Sequence, residues 1–226
     1  MTELEPLDDF AAGIVLASAS PRRRALLESV GLPIRVRPVD VDEAVLPEEA
    51  AGPYVERVAR AKGRMARRRD GGWLGGGPGG REQRALIAAD TTVSIDNLIL
   101  GKPASVQEAR SMLLRMAGRR HVVLTAVYAA TAAAEALEVD RSEIEFRSLT
   151  EAEIEAYIAT GEPFDKAGGY GIQGYGGTFV SWLSGTFSGV AGLPLARLET
   201  LLRRLAIDPW GLRRSAREAG SDVSDR

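Results

Sequence analysis

The sequence predicts an α/β fold built on a mixed sheet. Apolar runs of strand length alternate with helix-length segments through most of the chain, several of those segments open on a recognisable cap, and two late strands follow one another as a hairpin. Gly13–Ala17 reads as the first strand. Ser20 is a good N-cap, Pro21 suits the first helical position, Leu26, Leu27 and Val30 form an apolar face, and Gly31 is a stop, so a helix is predicted over Pro21–Val30. A strand over Ile34–Val41 runs into the acidic Asp40, Asp42 and Glu43, and a helix covers about Pro53–Arg69. Gly71–Gly80 is a glycine-rich loop, followed by a buried strand Ala85–Ala89 that ends at Asp90. Ser105-x-x-Glu108 is a capping box for a helix over Val106–Ala117, closed by Gly118. His121–Ala130 and Glu135–Ser148 are the hairpin strands, and Thr150-x-x-Glu153 caps a helix to about Thr160. A glycine-rich loop Gly161–Gly177, a strand Thr178–Leu183 and a helix Pro194–Ala206 complete the pattern. Residues 1–12 read as an N-terminal extension, 13–207 as the folded domain, and 208–226, polar and charged, as a frayed tail.

Composition narrows the class. With 226 residues, 45% of them hydrophobic and 27% charged, the chain can bury a full core as one domain or as two lobes sharing a sheet. No run approaches the roughly 18 uncharged apolar residues of a membrane span, and the acidic start lacks the basic opening of a signal peptide, so the expected location is the cytoplasm, with no membrane partner. The absence of cysteine excludes disulfides, thiol catalysis and zinc–thiolate sites, and a single histidine excludes a multi-histidine metal site. Any metal must then be held by carboxylates, carbonyls and water, which points to Mg²⁺ or Mn²⁺. A net charge of −2 and the lack of a basic–aromatic pattern argue against nucleic acid as a partner. Affinity for phosphate would have to be local.

Such a local site is written at the first helix. Arg22, Arg23 and Arg24 occupy its first turn, where the macrodipole disfavours cations by about 0.3–1 kcal/mol each at low salt. Free backbone N–H groups, the hydroxyls of Ser18 and Ser20 and the guanidinium forks together describe a phosphate site. Helical spacing pairs Arg24 with Glu28 and leaves Arg22 and Arg23 on the side of Leu26, Leu27 and Val30. Asp90, in AADTTV, reads either as a functional carboxylate at a strand end or as the start of a turn. Lys62 shares a helix side with Val58, Met65 and Ala66, as a snorkelling lysine also would. Lys102 precedes Pro103 and is held extended. The run DKAGGYGIQG contains a literal G-x-G-x-x-G, but it follows a helix and precedes a strand, the reverse of a dinucleotide fingerprint. Its glycines suit a backbone bent closely around a ligand or a plain turn cluster, with Gln173 offering an amide that both donates and accepts.

In combination these segments resemble the Maf-like family of nucleoside triphosphate pyrophosphatases, also known as septum-formation proteins. The resemblance spans about Ile14–Leu205 and rests on SASPRR (Ser18–Arg23), VDE (Val41–Glu43), AADTTV (Ala88–Val93), GKP (Gly101–Pro103), the Gly118–Thr125 stretch with His121, DKAGGYGIQG and GLPL (Gly192–Leu195). It implies an elongated mixed sheet flanked by helices in two lobes, akin to the inosine-triphosphate pyrophosphatase architecture, and a homodimer. Within the family the chain resembles the dTTP/UTP branch more than the 7-methyl-GTP branch. Asp90 then matches the proton acceptor, Arg22, Thr91 and Gln173 match the positions tied to substrate choice, and Arg23, Glu43, Lys62 and Lys102 match further polar residues of the cleft. Two departures stand out: the long Gly71–Gly80 loop, and Gly189 where asparagine is frequent, a change expected to loosen the cleft floor.

The residues and the resemblance lead to one expected mechanism. Arg22, Arg23, Lys62 and Lys102 clamp a triphosphate, with Ser18 and Ser20 beside it; Asp90 and Glu43 hold the divalent cation; Asp90 also orients or deprotonates water attacking the α-phosphorus. The other readings are a pyrophosphatase of the same family acting on 7-methyl-GTP or another modified nucleotide, and a non-catalytic nucleotide-binding regulator of cell division, which would gain little from a carboxylate beside a triphosphate.

Overall fold

The structure is a computed structural model that describes residues 7, 10, 12–75 and 83–221. Most of the expected N-terminal extension and half of the Gly71–Gly80 loop lie outside the described residues. In chain order the strands are β1 (Gly13–Leu16), β2 (Ile34–Val36), β3 (Arg84–Ile95), β4 (Leu98–Leu100), β5 (Arg120–Ala130), β6 (Glu135–Phe146) and β7 (Val180–Ser184). The helices are α1 (Pro21–Ser29), α2 (Ala51–Leu74), α3 (Val106–Met116), α4 (Glu151–Ala159), α5 (Phe187–Val190), α6 (Leu195–Arg204) and α7 (Pro209–Ser221). All seven strands join one sheet in the order β2-β1-β3-β5-β6-β7, with β4 paired to the far part of β3. The β1–β2 and β1–β3 pairs are parallel and the other pairs antiparallel, so the sheet is mixed as predicted.

Alternation along the strands assigns the faces. Ile14, Leu16, Ala85, Ile87 and Ala89 pack with Leu26 and Leu27 of α1 and Leu198, Leu201 and Leu202 of α6. The alternate set, Val15, Ala17, Leu86 and Ala88, meets Ala66 and Leu74 of α2. Further along, Val93, Ile95, Val123, Ile144 and Phe146 bury Met112, Leu113 and Met116 of α3 and Ile154 and Ile158 of α4. The long strands β3 and β5 therefore carry two helical lobes on one sheet. Each such leucine, isoleucine or phenylalanine buried from water contributes about 1.5–3 kcal/mol.

Several boundaries differ from those predicted. β3 does not stop at Asp90 but continues to Ile95, where Asp96 and Asn97, both with positive φ (52° and 61°), turn the chain straight into β4. That geometry suits a two-residue hairpin turn, and the Asp-Asn pair was its signal. β2 ends at Val36, with Arg37 N–H making a last bond to Leu16 O at 2.8 Å, and Asp40, Asp42 and Glu43 lie on an irregular segment. α2 begins at Ala51 and runs through Gly71 and Gly72 to Leu74. Ser105 caps α3, but Glu108 reaches back to the Ala104 N–H rather than to that of Ser105. The Gly161–Gly177 stretch holds 3-10 turns at Glu162–Asp165 and Ala167–Gly169 and the start of a third at Tyr175–Phe179. The supposed frayed tail forms α7: Leu212 joins the core beside α6, and Arg213 Nε donates to Val30 O at 2.7 Å. Sparse apolar residues among many charges hid that helix. Among the described residues no helix is long and apolar enough to cross a membrane.

Candidate active site

The cleft originates in a gap in the sheet edge. β1 pairs with β3 up to Ile87, and β4 pairs with β3 only from Val93 onward, so Ala88–Thr92 have no strand partner on that side. Residues from both faces of β3 can reach the same opening there. A cavity of about 600 Å³ fills it, within the range of small-molecule sites. All ten candidate residues line it: Ser18, Ser20, Arg22, Arg23, Glu43, Lys62, Asp90, Thr91, Lys102 and Gln173. Asp90 is therefore mid-strand, not at a strand end, and its access comes from the missing neighbour.

Period two puts Asp90 on the α2 face, opposite Lys62. Lys62 Nζ lies 2.7 Å from Asp90 Oδ1 and 2.7 Å from Glu43 Oε1, so one ammonium joins the two carboxylates. Met65, expected beside Lys62, is instead exposed. Glu43 is aimed by its own segment: Tyr54 Oη donates to Glu43 O at 3.1 Å, and Arg57, paired with Glu49, donates to Ala44 O at 2.8 Å. Asp42 turns away and accepts the Ala44 N–H. Burial raises the Asp90 pKa above the usual carboxylate range, against the pull of Lys62 and Arg23. A partly desolvated acid of this kind is suited to holding a proton transiently.

Thr91 points to the other face, toward α1. The cap at Ser20 forms, with its hydroxyl 3.5 Å from Arg23 N. The Arg23 side chain donates through Nη1 to Ser18 Oγ (3.1 Å), through Nε to Gly192 O (2.9 Å) and through Nη2 to Thr91 Oγ1 (3.2 Å). Burial lowers the Arg23 pKa, with Asp90 opposing that effect. Thr91 Oγ1 is also 3.0 Å from Thr125 Oγ1, its cross-strand partner, which donates to Gly189 O at 2.8 Å. Because the single Thr125 proton is committed to Gly189, Thr91 must donate to Thr125, and toward the cleft the Thr91 oxygen can only accept. Gly189 does not loosen the floor as expected. A Cβ there would lie 2.2 Å from Asp140 Oδ2 and 2.4 Å from Thr186 Oγ1, so the floor is closed by a buried carboxylate packed against bare backbone.

Arg22 and Gln173 line the same opening. Arg24 pairs with Glu28 as its spacing predicts, whereas Arg22 Nη1 reaches Asp165 Oδ2 at 2.6 Å and Nη2 reaches Asp165 O at 3.2 Å. Gln173 is exposed in a turn closed by Gly174 N–H to Gly171 O at 3.2 Å. Lys102 is exposed at the rim. Lys166 also lines the cavity and pairs with Asp165, so five cationic side chains face three carboxylates. That surplus suits an anionic ligand. Among the described residues no group of three His, Cys, Asp or Glu forms a metal cage; Asp165 is taken up by Arg22 and Lys166, and Asp90 and Glu43 are the two carboxylates gathered around Lys62.

Sequence reasoning gave no role to several residues that shape the site. Thr125 is found only through its register opposite Thr91. His121 is buried, with Nε2 2.8 Å from Tyr170 Oη, and Tyr170 forms part of the cavity wall. Burial holds the His121 pKa down to about 4, so the ring is neutral. Asp165 and Glu162, on one 3-10 turn, anchor Arg22 and the Gln173 loop respectively.

The family described as Maf-like protein matches residues 13–205. The chain is 44% identical over 195 residues to a dTTP/UTP pyrophosphatase of Chromobacterium violaceum, covering 86% of this chain and 96% of that one. It is 46% identical over 206 residues to a dTTP/UTP pyrophosphatase of Anaeromyxobacter dehalogenans, covering 89% and 98%. A relative of the same description from Moorella thermoacetica is 42% identical over 200 residues, covering 88% and 97%. The open edge of β3, its cation-rich cleft and these full-length matches lead to one conclusion: the chain belongs to the Maf-like family.

Proposed function

We propose that this protein is a nucleoside triphosphate pyrophosphatase that hydrolyses dTTP and UTP to the nucleoside monophosphate and pyrophosphate. The observation that carries the reading is the buried Lys62–Asp90 pair, with Glu43 beside it, facing a cavity whose other wall is the arginine-bearing start of α1. Relatives named dTTP/UTP pyrophosphatase, alike over most of both chains, support the substrate class.

Arg22, Arg23, Lys62 and Lys102 clamp the triphosphate, and free N–H groups at the start of α1 add to them. Asp90 takes a proton from water as the water oxygen attacks the α-phosphorus; the bond from that phosphorus to the bridging oxygen breaks, and pyrophosphate leaves with the electron pair. Glu43 and Asp90 suit Mg²⁺ or Mn²⁺, because both are hard oxygen donors already gathered around one cationic group and a two-carboxylate set leaves room for water and phosphate oxygens. When bound, such an ion supplies Lewis-acid charge at the phosphate and a more acidic water. The amide of Gln173 can match the O4 acceptor and N3–H donor of thymine and uracil together. A homodimer is proposed as well, to be checked by sedimentation, and neither nucleic acid nor membrane enters the reading.

Purified protein with Mg²⁺ or Mn²⁺ should release pyrophosphate from dTTP and UTP. Orthophosphate release would overturn attack at the α-phosphorus, a strong preference for 7-methyl-GTP would reassign the branch, and nucleotide binding without turnover would favour the regulator.

A further inference from the structure

The Glu162 side chain meets several parts of the Gln173 loop at once. Its Oε1 accepts from Tyr157 Oη at 2.9 Å and from Gly176 N–H at 3.1 Å, and its Oε2 accepts from Tyr175 N–H at 2.9 Å. Its own carbonyl takes the Lys166 ammonium at 2.7 Å. The loop is bare where it passes the carboxylate. A Cβ on Gly174 would lie 2.3 Å from Glu162 Oε2, although the Gly174 backbone (φ −113°) is one that any residue adopts. A side chain at 174 would thus press on the Glu162 carboxylate, whereas the turn itself accepts any residue. The same 3-10 turn carries Asp165, which holds Arg22.

We propose that Glu162 is a positioning residue for substrate choice: its carboxylate, bound to the Tyr175 and Gly176 amides, fixes the turn that presents Gln173 to the base. The inference rests on the reading of Gln173 as the base contact. Hydrogen bonds to a charged acceptor are the strong ones; two of them, from the Tyr175 and Gly176 amides, hold the glycine-rich segment, and a third, from Tyr157 Oη, ties the carboxylate to α4. A glutamine in its place turns one acceptor oxygen into an NH₂ group, which must face a backbone N–H and leaves at least one amide unpaired.

The test compares Glu162→Gln, Gln173→Ala and the double variant for kcat and KM with UTP and CTP, using inorganic triphosphate as a competitive inhibitor that reports the phosphate clamp alone. Glu162→Gln should raise KM for UTP about tenfold, the size of one lost charge-assisted bond, narrow the UTP-to-CTP ratio toward that of Gln173→Ala, and leave inhibition by triphosphate unchanged. The double variant should narrow the ratio no further than Gln173→Ala does. A Glu162→Gln enzyme with the wild-type ratio, where Gln173→Ala has lost it, overturns the inference and spares the base reading. An unchanged ratio in Gln173→Ala overturns both. If Glu162→Gln does not fold, Gly174→Ala displaces the loop from the carboxylate without backbone strain. A folded Gly174→Ala enzyme with unaltered selectivity counts against the proposal.

Discussion

Lys62 Nζ lies 2.7 Å from Asp90 Oδ1, with only 11% and 7% of the two side chains exposed. A charged pair this far from water is held by mutual attraction against a large desolvation penalty, so removing either partner has consequences beyond the lost contact. The two residues are 28 apart in sequence and meet because α2 crosses the face of β3 at the point where β3 loses its edge neighbour.

Asp90→Asn keeps the shape and still offers Lys62 a carbonyl oxygen, while Glu43 remains as the counter-charge of Lys62. Removing the base should lower kcat by about 10²–10⁴-fold, with nucleotide binding retained and the melting temperature little changed. Single-turnover kinetics, calorimetric titration with UTP and thermal unfolding measure the three quantities. Near wild-type turnover would remove Asp90 from the chemistry.

Lys62→Met behaves differently. It leaves Asp90 and Glu43 facing each other without the cation that joins them, one of them buried. Breaking a buried pair from one side typically costs about 3–5 kcal/mol, and Glu43, nearly half exposed, can move away, so the lower end applies. Urea unfolding should show that loss, and UTP affinity should fall along with kcat because Lys62 is also one of the proposed phosphate ligands. A variant as stable as wild type would mean that Asp90 is neutral in the resting protein.

Much of this architecture was legible in the chain. Ser20, Pro21 and the apolar spacing of α1 gave that helix to within a residue, and the Arg24–Glu28 pair followed from its geometry. The open edge of β3 was not legible, because strand pairing is a long-range choice and the run through Asp90 breaks an apolar pattern that in fact continues to Ile95. All ten candidate residues reach one cavity, yet the contacts that orient them, Thr125 to Gly189 or Glu162 to the Tyr175 amide, join residues far apart in sequence and leave no periodic trace.

His121 gives the protein a pH dependence of its own. Burial beside Phe146 and Tyr170 holds its pKa to about 4 in the folded state, below the ordinary 6.5. Between those values the unfolded chain binds a proton that the folded chain does not. The stability from the neutral ring is therefore complete above about pH 6.5 and is lost as pH falls toward 4, at up to about 1.4 kcal/mol per pH unit. Chemical unfolding at pH 7.0, 5.5 and 4.5 should show this slope in wild type and a shallower one in His121→Gln; parallel slopes would mean that the ring already carries its proton when folded.

Thr125→Val removes the acceptor for the Thr91 proton and strips Gly189 O of a buried donor. Gly189 O keeps the Gly192 N–H at 3.0 Å, so the loss is one ordinary hydrogen bond and unfolding should shift by about 0.5–1.5 kcal/mol. The freed Thr91 hydroxyl can then donate into the cleft, and the ratio of UTP to CTP turnover should change. Thr125→Ser keeps the hydroxyl and should keep the ratio, which separates the orientation of Thr91 from mere loss of packing.

Arg23→Ala and Gln173→Ala separate holding the phosphates from reading the base. Arg23 is fixed from Ser18, Thr91 and Gly192 at the start of α1, so its loss removes a contact common to every triphosphate. kcat/KM for UTP, dTTP and CTP should fall together, with the ratios preserved. Gln173 is exposed in the lining of the same cavity, and its amide can match only one base edge at a time. Its removal should leave the phosphate contacts intact and narrow the gap between UTP and CTP, because an interaction made equally with all substrates cannot discriminate between them. The discrimination lost should be about 1–3 kcal/mol, the cost of leaving a polar group unpaired against the wrong base. Steady-state kinetics on the three nucleotides decide the matter: ratios that move in Arg23→Ala and stay fixed in Gln173→Ala would reverse the two assignments.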